Sequence, residues 1–206
     1  MVITRDRLLT FEDYLNHQTD DAASDVRYEF VDGELIPMNP PKIEHFLIAK
    51  FLTHYFEQAI QQANLPWLVF SEIGVRTGFR RSRVVDLCVV QREQVQELAG
   101  RSAVFETPPL LAVEIVSLDS IGRDYRYKRS EYAAAGIPEY WIVDPLDNRL
   151  TILQLQEGLY DEIPQDPSGL IQSPILSTMG QQSADQQPAI TIEQIWQAAH
   201  LAPDPA

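Results

Sequence analysis

Residues 110–116, Leu-Leu-Ala-Val-Glu-Ile-Val, are apolar on both sides of a single carboxylate. A run of that length without polar alternation reads as a strand covered on both faces. Glu114 in such a strand has to be paired, protonated or bound to a cation, because an unpartnered buried carboxylate is too costly to keep. A second run, Val84-Val85-Asp86-Leu87-Cys88-Val89-Val90, has the same character and also carries one acid. The chain must therefore build a sheet with layers on both faces and find partners for two charges inside it.

Turn and periodicity signals supply the rest of the frame. Thr10 with Asp13 three residues on is the pattern of a capping box and predicts a short helix, with a polar loop over His17–Ser24. Asp32-Gly33 between two alternating runs predicts a hairpin over 27–38. Ile43, Phe46, Leu47, Leu52, Phe56 and Ile60 recur at helical spacing and predict a long helix to about Ala63 with that face on the sheet. Strands are expected over Trp67–Thr77, Arg83–Val90, Leu110–Ser117, Glu139–Asp144 and Arg149–Gln156, and helices over Glu93–Leu98, Asp124–Ala135 and Thr191–His200. Gly136 and Pro138 end the second of these helices. Residues Asp161–Pro188 are polar with scattered Pro, Gly and Gln, and read as irregular edge strands or loops. Elements that neither alternate strictly nor segregate predict an α/β fold with a mixed central sheet flanked by helices. At 206 residues one domain is expected, with 1–160 as its body and 161–206 as an extension whose final helix packs on the same domain.

No stretch approaches the roughly 20 apolar residues of a membrane span. Asp6, Glu12 and Asp13 stand where a signal peptide would be apolar, so a cytoplasmic protein is expected. The single cysteine, Cys88, excludes a disulfide within the monomer and reads as a small buried hydrophobe. A net charge of −14 argues against a polyanionic partner, but the charge is uneven. Residues 76–129 carry 10 basic and 7 acidic side chains, and both strand acids lie within them. Arg76, Arg80, Arg81 and Arg83 form one basic cluster, and Arg123, Arg126, Lys128 and Arg129 form another. Such clusters are either phosphate-binding strips or solvated faces answering nearby acids.

Two acids on neighbouring buried strands, followed by a basic helix, are what a metal-dependent phosphodiesterase needs, since magnesium takes oxygen ligands from one or two carboxylates, water and substrate phosphate. Asp86 and Glu114 are the expected metal ligands. The strings Arg27-Tyr-Glu-Phe-Val-Asp-Gly-Glu-Leu35, Met38-Asn-Pro-Pro41 with His45, Asp86 in its strand, Glu114-Ile-Val-Ser117, then Asp124, Lys128 and Tyr132, and Gly136-Ile-Pro-Glu-Tyr-Trp-Ile-Val-Asp-Pro145 together resemble the Uma-type restriction endonuclease family of the PD-(D/E)XK nuclease superfamily. The resemblance covers roughly Leu9–Leu155. It implies a restriction-endonuclease-like core and a magnesium- or manganese-dependent endonuclease acting on DNA. Asp86 and Glu114, with a backbone carbonyl near Ile115, would bind the ion.

Two positions depart from the superfamily pattern. Val85 stands where proline precedes the aspartate, and Val116 stands where a strand lysine follows the glutamate. The resemblance moves the lysine to the next helix, at Lys128. A further acid is expected from the hairpin region, with Glu34 preferred over Glu29 and Glu44, and His45 is expected at the phosphate or in proton transfer. Arg80, Arg81, Arg83, Arg123 and Arg126 are the expected DNA contacts, and action on both strands of a duplex favours a homodimer. Each residue also admits a structural role. Asp86 and Glu114 can pair with Arg83 or Arg123, Lys128 can form a surface helix pair with Asp124, Glu34 can merely follow a turn glycine, and His45 can be a boundary histidine. The competing functions are a catalytically inactive nucleic-acid-binding or assembly module of the same fold, and an enzyme acting on a small phosphate ester. Glu139, Tyr140, Trp141 and Asp144 read as packing and turn residues.

Overall fold

The structure, a computed structural model, describes residues 8–20, 27–182 and 189–200. Residues 1–7, part of the expected 17–24 loop and the end of the expected 161–188 irregular stretch lie outside the described residues. In chain order the elements are α1 (Phe11–Asp20), β1 (Tyr28–Val31), β2 (Glu34–Pro37), α2 (Ile43–Gln62), β3 (Trp67–Gly78), β4 (Arg81–Gln91), α3 (Arg92–Glu97), β5 (Val104–Phe105) and β6 (Leu111–Ile115). A π-helical segment, Arg123–Lys128, then runs directly into α4 (Arg129–Ala135). After it come β7 (Glu139–Asp144), β8 (Arg149–Gln156), β9 (Leu159–Glu162), α5 (Pro174–Gln182) and α6 (Ile192–Ala199). Among the described residues no helix is long and apolar enough to cross a membrane.

Local chemistry sets several boundaries. Thr10 Oγ1 accepts from the Asp13 amide at 3.1 Å while Asp13 accepts from the Thr10 amide at 2.8 Å, so α1 begins with a reciprocal cap. Asp32 and Gly33 both have positive φ, 53° and 93°, the geometry of the two-residue turn that matches strand twist. Gly136, at φ 82°, ends α4 in the left-handed region. Residues 17–20, expected in a loop, continue α1.

The sheet is mixed, with nine strands and the main path β2-β1-β4-β6-β7-β8-β9. β6 and β7 are parallel, and β4 pairs antiparallel with β6. One edge of β4 is taken by β3 along nearly its whole length. The other edge is shared, by β1 at Arg81 and Ser82 and by β6 at Leu87–Val89. Residues 83–86 lie where these two neighbours part, and the sheet opens there.

Two apolar layers enclose the sheet. On one face Leu87, Val89, Leu111, Val113 and Trp141 pack beneath α2, with Ile175, Met179 and Ile195 from the last two helices in the same cluster. On the other, Val85, Cys88, Ala112, Val116, Tyr140 and Ile142 pack beneath Tyr132 and Ala133 of α4. The odd-numbered Trp67 and Val69 of β3 face the α2 layer, yet the odd-numbered Ile73 and Val75 face the α4 layer. β4 makes the same switch between Val85 and Leu87. Strict alternation forbids this without an irregularity. It falls at Glu72, whose φ is 52°, and at Asp86, the residue across from it between the pairs Ser71↔Leu87 and Ile73↔Val85.

Two expectations about α2 and the C-terminal region are corrected. Ile43 and Phe46, in the first turn of α2, are exposed rather than packed on the sheet, because the sheet has already opened beneath them. The stretch expected to be irregular contains α5. Its sequence is too polar to announce a helix, but Glu139 of β7 accepts from the Ile175 amide at 2.9 Å and from Ser173 Oγ at 2.5 Å, an anion placed at the helix start by tertiary structure. Trp141 Nε1 donates to the same carboxylate at 2.6 Å. Replacing Glu139 by Ala should cost about 2–4 kcal/mol, the loss of charge-assisted bonds less the relief of a buried charge, read from the urea unfolding midpoint. A change under about 0.5 kcal/mol, the size of an ordinary surface substitution, would show that α5 seats without it.

Candidate functional site

The site lies where β1 and β6 leave β4. The antiparallel register pairs Leu87 with Val113, and one step further it sets Asp86 opposite Glu114. Neither acid is closed off by an arginine. Asp86 Oδ2 accepts from the Ile115 amide at 2.7 Å and lies 3.0 Å from His45 Nε2, which α2 brings over the gap from its first turn. Glu114 Oε2 accepts from Lys128 Nζ at 2.7 Å, and its other oxygen accepts a short bond from the Tyr132 hydroxyl. Val116, where a strand lysine would stand, is buried in the α4 layer. The ammonium reaches the same carboxylate from the helix instead.

Lys128 does not choose between the cleft and Asp124. Both are buried, and Nζ stands 3.4 Å from Asp124 Oδ1 and 3.6 Å from Glu29 Oε1. The π-helical winding widens each turn, and such segments recur at functional sites. Ser120, just before it, donates a short bond to Asp124. Behind this group Arg83 is fully occupied, donating two bonds of 2.7 Å to Glu131 and one of 2.8 Å to Glu29.

The electrostatics follow from an excess of acids over bases. Burial opposes the charge on Lys128, but Glu114, Asp124, Glu29 and Asp86 outweigh it and hold the ammonium protonated. Burial, reinforced by Asp86 and Asp124, pushes the Glu114 carboxyl well above the ordinary range despite Lys128. Asp124 is raised chiefly by burial as well. Asp86 goes the other way: burial is overcome by His45, Lys128 and the Ile115 amide, which hold its carboxyl low. Glu29 is likewise lowered, with Lys128 and Arg83 outweighing burial.

Of the expected site residues, Asp86, Glu114, Lys128 and His45 converge, and Arg123 joins them in the cleft lining. Glu34 does not. It is exposed beside the hairpin turn, Glu44 is exposed on α2, and the hairpin acid that reaches the cleft is Glu29. Arg83 is buried between two glutamates and presents nothing to a phosphate. Arg80 bonds the Leu9 carbonyl at 2.7 Å and Arg81 pairs with Asp32 at 2.8 Å, both outside the cleft lining, and Arg126 is exposed on the helix. The sequence offers Asp124 only as a surface partner for Lys128, and gives no site role to Tyr132 or Glu72. The spacing Asp124, Lys128, Tyr132 was the available signal, since an acid, a base and a phenol four apart lie along one side of a helix.

The comparisons bear on the family and the fold. The family model described as Uma2, putative restriction endonuclease, matches residues 11–184. No curated protein matches the chain. Among solved structures, the chain resembles a putative nuclease belonging to DUF820 from Anabaena variabilis, at 15% identity and a TM-score of 0.71, over 93% of this chain and 99% of that one. An identity that low speaks for the fold alone, and the fold it speaks for is the mixed nine-stranded sheet described above. With most of its length matched by the family model, the chain belongs to the Uma2 family of putative restriction endonucleases.

Proposed function

We propose that this protein is a divalent-metal-dependent nuclease that hydrolyses DNA phosphodiester bonds, with Asp86 and Glu114 as ligands for magnesium or manganese. The observation that carries the reading is the gathering of Glu29, Glu114 and Asp124 around one ammonium, with Asp86 on the strand beside Glu114 and two buried oxygens, Glu29 Oε1 and Asp124 Oδ1, left without a hydrogen-bond partner. Hard carboxylate oxygens suit magnesium or manganese. Magnesium completes its shell with water and substrate phosphate, so two protein carboxylates suffice. A cage of three His, Cys, Asp or Glu side chains is not needed, and none is formed among the described residues.

When bound, the ion supplies polarisation of the phosphoryl group and a water nucleophilic near neutral pH. The side chains divide the remaining work. His45 and the Ile115 amide both engage Oδ2 of Asp86, fixing the carboxylate and leaving Oδ1 to a ligand. Lys128 places a permanent positive charge beside Glu114, where it orients the attacking water and offsets charge growing on the phosphoryl oxygens. Tyr132 fixes the second oxygen of Glu114. Arg83 acts only through Glu29, holding that acid at the edge of the group.

The competing reading is a catalytically inactive binding module, favoured by the engagement of both Glu114 oxygens. Titration with manganese separates the two. Binding to the native state raises the melting temperature, and the Asp86→Asn and Glu114→Gln variants should lose that rise together with DNA cleavage. Cleavage surviving in either variant would remove the pair from the reaction. Lys128→Met should lower turnover by about 10²–10³-fold, the cost of losing one donor that stabilises developing charge. It should also lower the urea midpoint, because it strands buried acids, while manganese still raises the melting temperature of the folded variant. Unchanged turnover would take Lys128 out of the mechanism. Arg83→Met should destabilise the fold by about 3–5 kcal/mol in urea unfolding, because it strands two buried glutamates. A loss under about 1 kcal/mol would mean that Glu29 and Glu131 are held by other groups.

A further inference from the structure

The mouth of the cleft is as particular as its floor. Along one side runs the segment Met38-Asn-Pro-Pro41 leading into α2, and along the other the turn Ser117–Ser120 after β6. Asn39 Nδ2 donates to Asp119 Oδ2 at 3.3 Å, a bond between residues 80 apart in sequence that ties the two sides across the opening. The charged groups beneath are deep, Glu114 being 1% exposed and Lys128 5%. The enclosed space is about 570 Å³. That falls within the roughly 300–1,000 Å³ that surrounds one small organic molecule, room for a nucleotide or two.

The lining is chemically mixed in a way that matches such an occupant. Lys42 and Arg123 bring positive charge to the opening, where Arg27 is already paired with Glu72. Phe46, 45% exposed, and Leu118, 65% exposed, are large apolar side chains left in water at the same rim. A backbone-following charge beside an aromatic face is how proteins hold unpaired strands, each base offering a flat surface to stack on. A paired base in a duplex has no free face to give.

Resting on the nuclease reading, we infer that the cleft takes an unpaired DNA strand. Its phosphate meets Lys42 and Arg123, its base packs on Phe46 and Leu118, and the Asn39–Asp119 bond narrows the mouth against an intact duplex. Substrates of this class are single strands, flaps and frayed ends.

The test uses one labelled oligonucleotide offered as a single strand, as a blunt duplex and as a duplex with an unpaired tail. Cleavage is followed with manganese and affinity with calcium. The single strand and the tail should be cut at least about tenfold faster than the blunt duplex, and bound more tightly. Phe46→Ala should weaken single-strand binding by about tenfold, roughly one lost base stack, with Leu118→Ala acting in the same direction. Both residues are exposed, so folding is not at stake. Asp119→Ala, by opening the strap, should raise duplex cleavage relative to single-strand cleavage. Equal cutting of duplex and single strand would overturn this inference and leave the nuclease standing. If no DNA is cut, the nuclease reading falls, and the calcium titration decides alone: a single-strand preference lost in Phe46→Ala supports the strand cleft, and no preference overturns it.

Discussion

Lys128 is the charge on which the interior depends. Removing an ion from water costs several kcal/mol even after relaxation, and the cleft floor removes several at once. Glu114 of β6, Glu29 of β1 and Asp124 of the π-helical segment are buried together around one ammonium that stands 2.7, 3.6 and 3.4 Å from them, with Arg83 sharing the charge of Glu29. The three acids come from three elements, of which β1 is far in the chain from the other two. The lysine therefore binds the hairpin, the central sheet and the helix into one body while keeping the arrangement short of neutral. Such an imbalance is poor for stability and suited to a cation.

Arg83 answers the same constraint one layer back. With Glu131 from α4 and Glu29 from β1 it forms a second buried group in which each guanidinium nitrogen donates to a carboxylate. This division explains how an acidic chain carries a basic middle section. Much of the positive charge between residues 76 and 129 neutralises acids of the protein itself: Arg76 meets Glu106 at 2.9 Å, and Arg81 meets Asp32. Only a small share faces the cleft.

The backbone plan was largely readable from sequence because its signals are local. A capping box, an Asp-Gly turn, a terminating glycine and two apolar runs each leave a mark within a few residues. The site was readable where its residues lie inside those runs, as Asp86 and Glu114 do. It was not readable where the answer depended on which strand of the hairpin docks. β1 pairs with β4, so Glu29 is carried inward, while Glu34 on the outer strand stays in water. Arg83 was misjudged because a run of arginines suggests surface, although it stands two residues from Val85 and shares its face. Ile43 and Phe46 fit the helical period of α2, but periodicity does not reveal that the sheet beneath has parted. The winding of 123–128 leaves no local signature at all.

The inversion of β3 and β4 at Glu72 and Asp86 has a consequence for how such a protein can diversify. The acids of the cleft floor stand on strands of a sheet clamped between two apolar layers, whereas the mouth is built from two short connecting segments, 38–41 and 117–120. Substitutions in those segments can reshape what enters while the floor, fixed by strand register, is left as it was. Chemistry and selection of substrate are thus inherited on separate parts of the chain, and descendants of one ancestor can come to accept different molecules without rebuilding the site that acts on them.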